Sequence, residues 1–593
     1  MKKFLSANEA VAHAAAQAGC IVASAYPGTP STEILENIAK FKDTVKCEWA
    51  VNEKVAMETA VGASMVGARS LTAMKHVGLN VAMDPLMTFT YVGPLGGMVI
   101  ISADDPGMHS SQNEQDNRNL AKFARALLLE PSDSQEAYDF TVKAFELSEQ
   151  FKVPVIIRLT TRTSHSSSTV ELGNFKPAPH PLLPYRKDIT RNIPVPAFAR
   201  GQRLAAQKRT AAMEKAACKS TFNRVVKGAR RTGKTAKLGI VTSAVAYQYV
   251  REIFPDCDIL KLGWTNPLPK ALIAKFAKSV KKLLVVEELD PFLEDQIKAM
   301  GLKVVEHKTE LNMMELNADR LQNLRHEILK DVPKAKAAKV DATLPTRPPV
   351  LCAGCGHRGV FYTLHKLGAT VTGDIGCYTL GAFPPLNAMD STICMGASIG
   401  NAAGMKKAGY RGRLCAVLGD STFFHSGMTG ILSAHYNGTP ITTVVLDNRI
   451  TGMTGHQENP GSGKVLGGDP APVTEIDEIA KACGYRKVVT VSADDLAKLE
   501  EVLKDAMDGD EGALIIAYAP CRIAAKLTKE GLCEVDAAKC KACGACFQMG
   551  CPAMTRGAET RPGFFQMKID PNLCAGCKQC SQVCKFGAIR RVR

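Results

Sequence analysis

Eight cysteines near the C-terminus occur in two runs of regular spacing, and no other feature constrains the fold of this chain as strongly. The runs are Cys540-x2-Cys543-x2-Cys546-x4-Cys551 and Cys574-x2-Cys577-x2-Cys580-x3-Cys584. Three cysteines spaced by two residues surround one corner of an iron–sulfur cube, and the fourth cysteine of each run reaches across to the other cube. The spacing therefore predicts two clusters, one held by Cys540, Cys543, Cys546 and Cys584 and the other by Cys574, Cys577, Cys580 and Cys551.

A pair of structural zinc sites is the alternative interpretation, because zinc also binds four thiolates. Zinc modules usually pair their cysteines as two separated CxxC units, whereas a triple run suits a cube, and a doubled spacing is a specific cysteine signal. The first run departs from the usual pattern because four residues, rather than three, precede Cys551. This departure leaves open whether Cys551 is a ligand.

The chain has 593 residues, which is more than one hydrophobic core can use, so we expect four or five domains. No apolar stretch is long enough to span a bilayer, and the Met-Lys-Lys-Phe start lacks the apolar core of a signal peptide. Of the twenty cysteines, twelve fall in cluster-like spacings and the others are scattered, which indicates a reducing cytoplasm rather than a disulfide framework. We expect a cytoplasmic protein without a membrane partner.

The formal net charge is +16, and much of it comes from residues 186–237. Nucleic-acid binding is one interpretation of such a stretch, but it lacks interleaved aromatic residues, so a solvated face or linker is favoured and no nucleic-acid partner is expected. Residues 531–593 are also net basic. A basic electron outlet would attract an acidic carrier such as a small ferredoxin.

The first half of the chain predicts two α/β domains, residues 1–165 and 236–335, joined by a basic connecting segment over 166–235. A strand runs into the turn that contains Gly28 and Thr29, and such strand-to-helix turns present backbone N–H groups to ligands. Glu53 follows another strand. Taken alone, it is best explained as a helix N-terminal charge that the helix dipole favours. Glu287 and Glu288 resemble a catalytic carboxylate pair, but the end of a strand at a domain face is the favoured interpretation.

Two strand ends in residues 336–530 predict a magnesium site. An apolar strand precedes Gly419, Asp420 and Ser421, and another precedes Asp447 and Asn448. An acid and an amide at neighbouring strand ends can share one Mg²⁺ with water and a diphosphate, because Mg²⁺ prefers oxygen ligands. Two ordinary turns remain the alternative.

Four further cysteines follow predicted strands or turns in the same region: Cys352, Cys355, Cys377 and Cys521. The Cys352-x2-Cys355 pair alone could be redox-active or zinc-binding. Together the four could equally complete a third cluster.

These stretches together resemble the 2-oxoacid:ferredoxin oxidoreductases, and among them those that act on arylpyruvates. The resemblance covers nearly the whole chain through YPGTPSTE, EWAVNEKVAMETA, MKHVGLNVAMDP, ISADDPG, CAGCGHRG, DIGCYTLG, the GDS and DN strand ends, TGMTGHQENPG and the two cysteine runs. Two departures are Gly419-Asp420-Ser421 in place of Gly-Asp-Gly, and Asp447-Asn448 in place of Asn-Asn. Both retain the metal-binding residue types.

The resemblance implies an α/β fold of several thiamine-diphosphate-enzyme parallel-sheet domains with a small α+β two-cluster ferredoxin domain. Residues 1–165 would form the pyrimidine-type domain, 236–335 a transketolase-C-like domain, 336–530 the diphosphate-type domain and 531–593 the ferredoxin domain. The implied cofactors are thiamine diphosphate, Mg²⁺ and [4Fe-4S] clusters, with coenzyme A as co-substrate. The implied partners are a small (beta) subunit, in a heterotetramer of two large and two small subunits, and soluble ferredoxin.

The resemblance also assigns roles to individual residues. Glu53 would hydrogen-bond the aminopyrimidine ring, and Thr29 would lie near the 2-oxo acid. Asp420, Asn448 and the carbonyl of Ile450 would bind Mg²⁺, while Cys352, Cys355, Cys377 and Cys521 match a proximal cluster. The implied reaction is oxidative decarboxylation of arylpyruvates with coenzyme A. Pyruvate or branched-chain 2-oxo acids are the alternative substrates, and an electron-transfer scaffold without thiamine chemistry is the alternative class.

Overall fold

The computed structural model describes residues 1–173, 186–229, 236–336, 343–345, 348–526 and 531–592. The chain divides into two compact units, Met1–Val340 and Asp341–Arg593. Within the described ranges, no helix combines the length and the apolar content that crossing a bilayer requires.

A seven-stranded sheet forms the centre of the first unit. Its strands, in spatial order, are Trp264–Asn266, Leu127–Leu129, Val155–Thr160, Met98–Asp104, Arg69–Lys75, Cys20–Ala25 and Lys46–Trp49. All neighbours are parallel except Trp264–Asn266, which pairs antiparallel with Leu127–Leu129. Every residue of Met98–Asp104 is buried, as expected for a parallel strand that is covered on both faces.

Helices cover the sheet, and polar caps begin several of them. They are Ala7–Gln17, Thr32–Ile38, Glu53–Met65, His76–Val81, Met83–Val92, Asn117–Ala124, Ser134–Phe151 and Thr161–His165, with a 3₁₀ turn at Ala39–Phe41. The side chain of Asn52 accepts the N–H of Val55 and caps Glu53–Met65. This cap places Glu53 at the first helical position.

The connecting segment expected over 166–235 contains secondary structure that belongs to its neighbours. Strand Ser167–Glu171 pairs antiparallel with Lys2–Ser6, and strand Arg224–Val226 pairs with the sheet that follows. Between them lie helices Ile189–Asn192 and Pro196–Ala217. Arg209, on the longer helix, donates to the backbone carbonyls of Thr90 and Tyr91, so this helix packs on the first domain. Residues 174–185 and 230–235 of this expected segment lie outside the described residues.

A smaller four-stranded sheet completes the first unit. Its order is Val280–Val286, Ala236–Ser243, Asp258–Leu262 and Arg224–Val226, with the first three parallel and the last antiparallel. Its helices are Ala246–Ile253, Lys270–Lys278, Phe292–Ala299 and Ala318–Leu329.

Glu287 and Glu288 directly follow strand Val280–Val286, and both are buried. Glu287 Oε2 accepts from Arg118 Nη1 at 2.6 Å, and the same guanidinium binds Asp116. Arg118 belongs to helix Asn117–Ala124, which covers the seven-stranded sheet, so this ion pair joins the two sheets of the first unit. The two glutamates are therefore part of the packing between these sheets.

The second unit contains a six-stranded parallel sheet. Its order is Ser391–Thr392, Thr370–Gly373, Leu414–Gly419, Thr442–Asp447, Ala513–Tyr518 and Val488–Ser492. Its helices are His357–Lys366, Ala397–Lys407, Asp420–Thr422, Met428–Tyr436, Ile476–Ala482 and Leu496–Asp508, with a 3₁₀ helix at Cys377–Ala382 and a π-helix at Phe423–Gly427.

The C-terminal part of the second unit has two antiparallel strand pairs. Leu532–Val535 pairs with Ile589–Val592, and Met554–Arg561 forms a hairpin with Phe564–Ile569. Short helices at Ala545–Met549 and Gln579–Gln582 accompany them. The core of this small α+β domain is built largely from cysteines and methionines, including Cys546, Cys574, Met554 and Met567. The predicted α/β class is confirmed, with this small domain at its end.

Candidate active site and cluster cavities

The carboxyl ends of the parallel strands bring Glu53 and Gly78 together in the first unit. Glu53 is only 6% exposed, although it begins a helix. A Cβ atom on Gly78 would lie 2.6 Å from Glu53 Oε1, so no larger residue fits there without moving the carboxylate. The loops at the carboxyl ends of such strands are where open α/β sheets bind ligands. Glu53 thus lies at the edge of the sheet where a ligand is expected.

Lys75 lies beside the two other predicted residues of this edge. The Lys75 Cγ is 3.4 Å from the position of a Cβ on Gly28, and Nζ donates to the carbonyl of Ser110 at 3.0 Å. Ser110 Oγ in turn donates to the carbonyl of Thr29 at 3.5 Å. Burial lowers the pKa of Lys75, while the charges of Asp105 and then Glu53 oppose that shift. Gly28 and Glu53 therefore lie near one lysine, and Ser110 links that lysine to Thr29.

Asp420 is a buried carboxylate at the start of helix Asp420–Thr422, directly after strand Leu414–Gly419. Burial raises its pKa to about 7, with a further contribution from Asp447. Its Oδ2 accepts from the amide of Asn459 at 2.9 Å. A neutral amide does not offset the cost of burying an ionised carboxylate, so a bound cation would stabilise the charged form of Asp420.

The loop after the next strand lies beside Asp420. Asn448 Oδ1 accepts the N–H of Ile450 at 3.1 Å, and Thr451 Oγ1 donates to Ser421 Oγ at 2.9 Å, which ties the two loops together. Carboxylate, amide and backbone oxygens are the ligand types that Mg²⁺ binds. A Cβ on Gly419 would lie 2.8 Å from a ring carbon of Tyr378, so the backbone is closely approached here. The donor chemistry of this site fits a magnesium ion with a diphosphate.

The four cysteines of the candidate third cluster lie together beside this site. Burial raises the pKa of Cys355 to about 12 and that of Cys377 to about 11, and the neighbouring Cys352 adds to both shifts. Cys521 also acts on Cys377, and its N–H donates to the carbonyl of Asn448 at 3.2 Å. The proximal set therefore adjoins the candidate metal ligand Asn448.

The two ferredoxin cysteine sets are each brought together in the small domain. Burial is the main cause that raises the pKa of Cys546 to about 11. The neighbouring thiols of its predicted set raise it further: Cys584, Cys543 and Cys540. The second set lines one cavity with a fifth cysteine: Cys533, Cys551, Cys574, Cys577 and Cys580. In the part of the chain that the structure describes, no three His, Cys, Asp or Glu side chains converge on a single ion position.

The cavity that the second ferredoxin set lines adjoins the loop of Cys352 and Cys355. Gly354 and Arg358 contribute to its lining, and Gln579 Nε2 donates to the carbonyl of Cys355 at 3.3 Å. Arg358 Nη1 donates to the carbonyl of Met549 at 2.8 Å. Within the second unit, the proximal cysteine set and the second ferredoxin set are therefore neighbours.

Sequence reasoning did not single out Lys75, Asn459 or Cys533 as site residues. Lys75 and Asn459 lie inside the motifs MKHVGLNVAMDP and TGMTGHQENPG, so their position in a motif was a usable signal. Cys533 has no CxxC partner, and nothing in the sequence links it to a cluster.

Comparison with known families gives three matches. Residues 13–228 match the family described as pyruvate flavodoxin/ferredoxin oxidoreductase, thiamine diP-binding. Residues 374–517 match the thiamine pyrophosphate enzyme C-terminal TPP-binding domain, and residues 567–590 match a 4Fe-4S binding domain.

Full-length relatives decide the family. Proteins named indolepyruvate oxidoreductase subunit IorA from Archaeoglobus fulgidus and Methanothermobacter thermautotrophicus are 38% and 40% identical, each over 99% of this chain and 97% of their own. The chain belongs to the indolepyruvate oxidoreductase IorA-subunit family. A more distant relative, the 2-oxoglutarate synthase subunit KorA of Methanothermobacter marburgensis, is 25% identical over 51% of this chain and 92% of its own. A solved 2-oxoglutarate:ferredoxin oxidoreductase from Magnetococcus marinus covers 55% of this chain and 64% of that one, at 20% identity and a TM-score of 0.46.

Family membership confirms the coarse predictions. This IorA-family chain is a thiamine-diphosphate-dependent 2-oxoacid:ferredoxin oxidoreductase that carries iron–sulfur clusters. Its fold combines thiamine-diphosphate-enzyme domains with a terminal ferredoxin-like domain, as predicted. The roles of individual residues and the domain boundaries stay predictions.

Proposed function

We propose that this chain catalyses the oxidative decarboxylation of arylpyruvates, such as indolepyruvate and phenylpyruvate. The products would be CO₂ and the aryl-acyl thioester of coenzyme A, with the electrons passing through [4Fe-4S] clusters to ferredoxin. The observation that carries this proposal is the 37–40% identity to proteins named for indolepyruvate over almost their whole length. The relative named for 2-oxoglutarate matches at only 25% identity over half of the chain.

The first unit would hold the aminopyrimidine end of the cofactor. Glu53 would donate or accept a proton at a ring nitrogen, because its carboxylate is buried yet lies at the ligand-binding edge of the sheet. Gly78 gives that carboxylate room, and Gly28 and Thr29 form the adjoining turn. Thiamine diphosphate, when bound, supplies the nucleophilic carbon and the electron sink for decarboxylation.

The second unit would hold the diphosphate end. Asp420, Asn448 and the carbonyl of Ile450 would bind Mg²⁺, while the backbone at Gly419 and the hydroxyl of Ser421 would contact the phosphate oxygens. The raised pKa of Asp420 supports this role, because a bound cation would stabilise the ionised form that burial disfavours. The contact between Thr451 and Ser421 supports a shared site, since it joins the two loops that carry the ligands.

The electron path would run through three neighbouring cysteine sets. Cys352, Cys355, Cys377 and Cys521 would hold a proximal cluster beside Asn448. Gln579 and Gly354 lie close to the CxxC loop and also line the cavity of the second ferredoxin set. This proximity supports electron transfer from the proximal cluster to the cluster in that cavity. The set of Cys540, Cys543, Cys546 and Cys584 would then be the outermost cluster.

A small subunit and ferredoxin would be the protein partners, with two large and two small subunits in the assembly. The relatives' designation as subunits supports a partner chain. The basic terminal domain would attract an acidic ferredoxin, so the rate at which ferredoxin is reduced should fall as ionic strength rises. A rate that does not change with salt would contradict this electrostatic docking.

The decisive experiment uses the anaerobic complex of this chain with its small subunit. Viologen reduction is measured with thiamine diphosphate, Mg²⁺ and coenzyme A, and indolepyruvate, phenylpyruvate, pyruvate and 2-oxoisovalerate are compared. A strong aryl preference supports the proposal. A preference for pyruvate or the branched acid would retain the reaction and overturn the substrate. Reduction by none of the four would favour an electron-transfer scaffold.

A further inference from the structure

The cavity of the second ferredoxin set contains one more thiol than a cluster uses. Five cysteines line it: Cys533, Cys551, Cys574, Cys577 and Cys580. A [4Fe-4S] cluster is bound by four thiolates. One of the five is therefore left over in any one state of the cluster.

Cys533 is held in this cavity by regular secondary structure. It lies on strand Leu532–Val535, is 4% exposed, and is paired opposite Arg591 in the antiparallel ladder. Its backbone N–H donates to Sγ of Cys574 at 3.4 Å, and it lines the same cavity as Cys580. The strand thus fixes a fifth sulfur next to two of the predicted ligands.

Cys551 is the member of the predicted ligand set whose position is least regular. Four residues rather than three separate it from Cys546, and it is half-buried at the start of a turn before Pro552. It lines the same cavity as Cys577 and Cys580. Cys533 and Cys551 therefore both lie close to Cys580, one carried by a strand and the other by a turn.

We propose that Cys533 and Cys551 are alternative fourth ligands of the second cluster. In the exchange, the iron–sulfur bond to Cys551 breaks and a bond from the same iron to Cys533 forms. The proton of the Cys533 thiol passes to Cys551, and no electron is transferred. This inference rests on the second cluster of the proposed function and adds a ligand that the spacing rule does not include.

The test is iron content per chain in the anaerobically purified complex, together with the electron paramagnetic resonance spectrum of the reduced clusters. We expect Cys551→Ala to retain all the iron of the wild type, because Cys533 replaces the missing thiolate. The double variant Cys551→Ala/Cys533→Val should lose about four irons, the content of one cluster. The matched control is Cys540→Ala in the other set, where the predicted ligands are four cysteines, and it should also lose about four.

Loss of about four irons from Cys551→Ala alone would overturn the proposal, because Cys533 would then be unable to replace it. The same loss from Cys533→Val alone would overturn it as well, since Cys533 would be an obligatory ligand. The single variants decide the question even where the double variant fails to fold. Wild-type iron below about eight per chain would instead refute two clusters in the ferredoxin domain, so the two failures are distinguishable.

Discussion

Replacing Glu288 with glutamine should change how the stability of the first unit depends on pH. Glu288 is 4% exposed, and its Oε1 accepts the backbone N–H of Leu316 at 2.8 Å. Oε2 has no hydrogen-bond partner among the described residues. Burial is the main cause that raises its pKa from the ordinary 4.5 to about 7. The folded protein therefore retains a proton that the unfolded chain releases.

The sign and size of the effect follow from proton linkage. Between pH 4.5 and about 7 the folded state binds one more proton at Glu288 than the unfolded state does, so the free energy of unfolding falls as pH rises. The contribution is fully present below pH 4.5 and is lost as the pH rises through about 7. A pKa difference of about 2.5 corresponds to about 3.4 kcal/mol, of which about 2.4 kcal/mol falls between roughly pH 5 and 7.5.

Glutamine removes this titration and retains the oxygen that accepts from Leu316. Relative to the wild type, Glu288→Gln should gain about 2.4 kcal/mol in free energy of unfolding between about pH 5 and 7.5. Glu287, which is also buried, is present in both proteins, so its contribution to the pH dependence of stability largely cancels.

Urea unfolding followed by tryptophan fluorescence measures the effect in the right part of the molecule. The two tryptophans, Trp49 and Trp264, both lie in the first unit, and Trp264 is 2% exposed. The control is Glu252→Gln, because the Glu252 side chain is exposed on helix Ala246–Ile253. This variant tests whether the change of residue type by itself alters the stability difference between the two pH values. For Glu288→Gln, a stability difference from the wild type that is the same at both pH values would refute the reasoning.

Three further predictions concern the thiamine site. Glu53→Gln should abolish turnover and leave iron content intact, because it removes a proton-transfer group far from the cysteines in sequence; normal turnover would contradict the proposed role. Gly78→Ala should reduce kcat at least about 10-fold in the viologen assay, because the alanine Cβ would lie 2.6 Å from Glu53 Oε1. An unchanged kcat would show that the carboxylate moves freely. Asp420→Asn should weaken Mg²⁺ binding by about 100-fold in calorimetry, since it removes the anionic ligand. The control is Asp477→Asn, which replaces a half-buried acid that pairs with Lys481 on helix Ile476–Ala482.

Local sequence patterns were sufficient for the parts of this protein that depend on neighbouring residues. The cysteine runs predicted an iron–sulfur domain, because a cube binds its first three ligands from one short loop. The apolar runs before Gly28, Gly419 and Asn448 predicted strands that end at ligand-binding turns, because a buried parallel strand must be apolar over its length. Each of these sequence patterns lies within a few residues of the structural feature that it predicts.

Tertiary structure decided the contacts between distant segments. Gly78 meets Glu53, and Asn459 meets Asp420, only because parallel strands end at a common edge. Cys533 joins the second cysteine set because its strand pairs with Ile589–Val592 at the other end of the domain. Arg118 and Glu287 are 169 residues apart in sequence and form an ion pair. This ion pair gives a structural role to Glu287, which with Glu288 resembled a catalytic pair in the sequence. Spacing along the chain cannot determine such contacts, since they depend on how the sheets and helices pack.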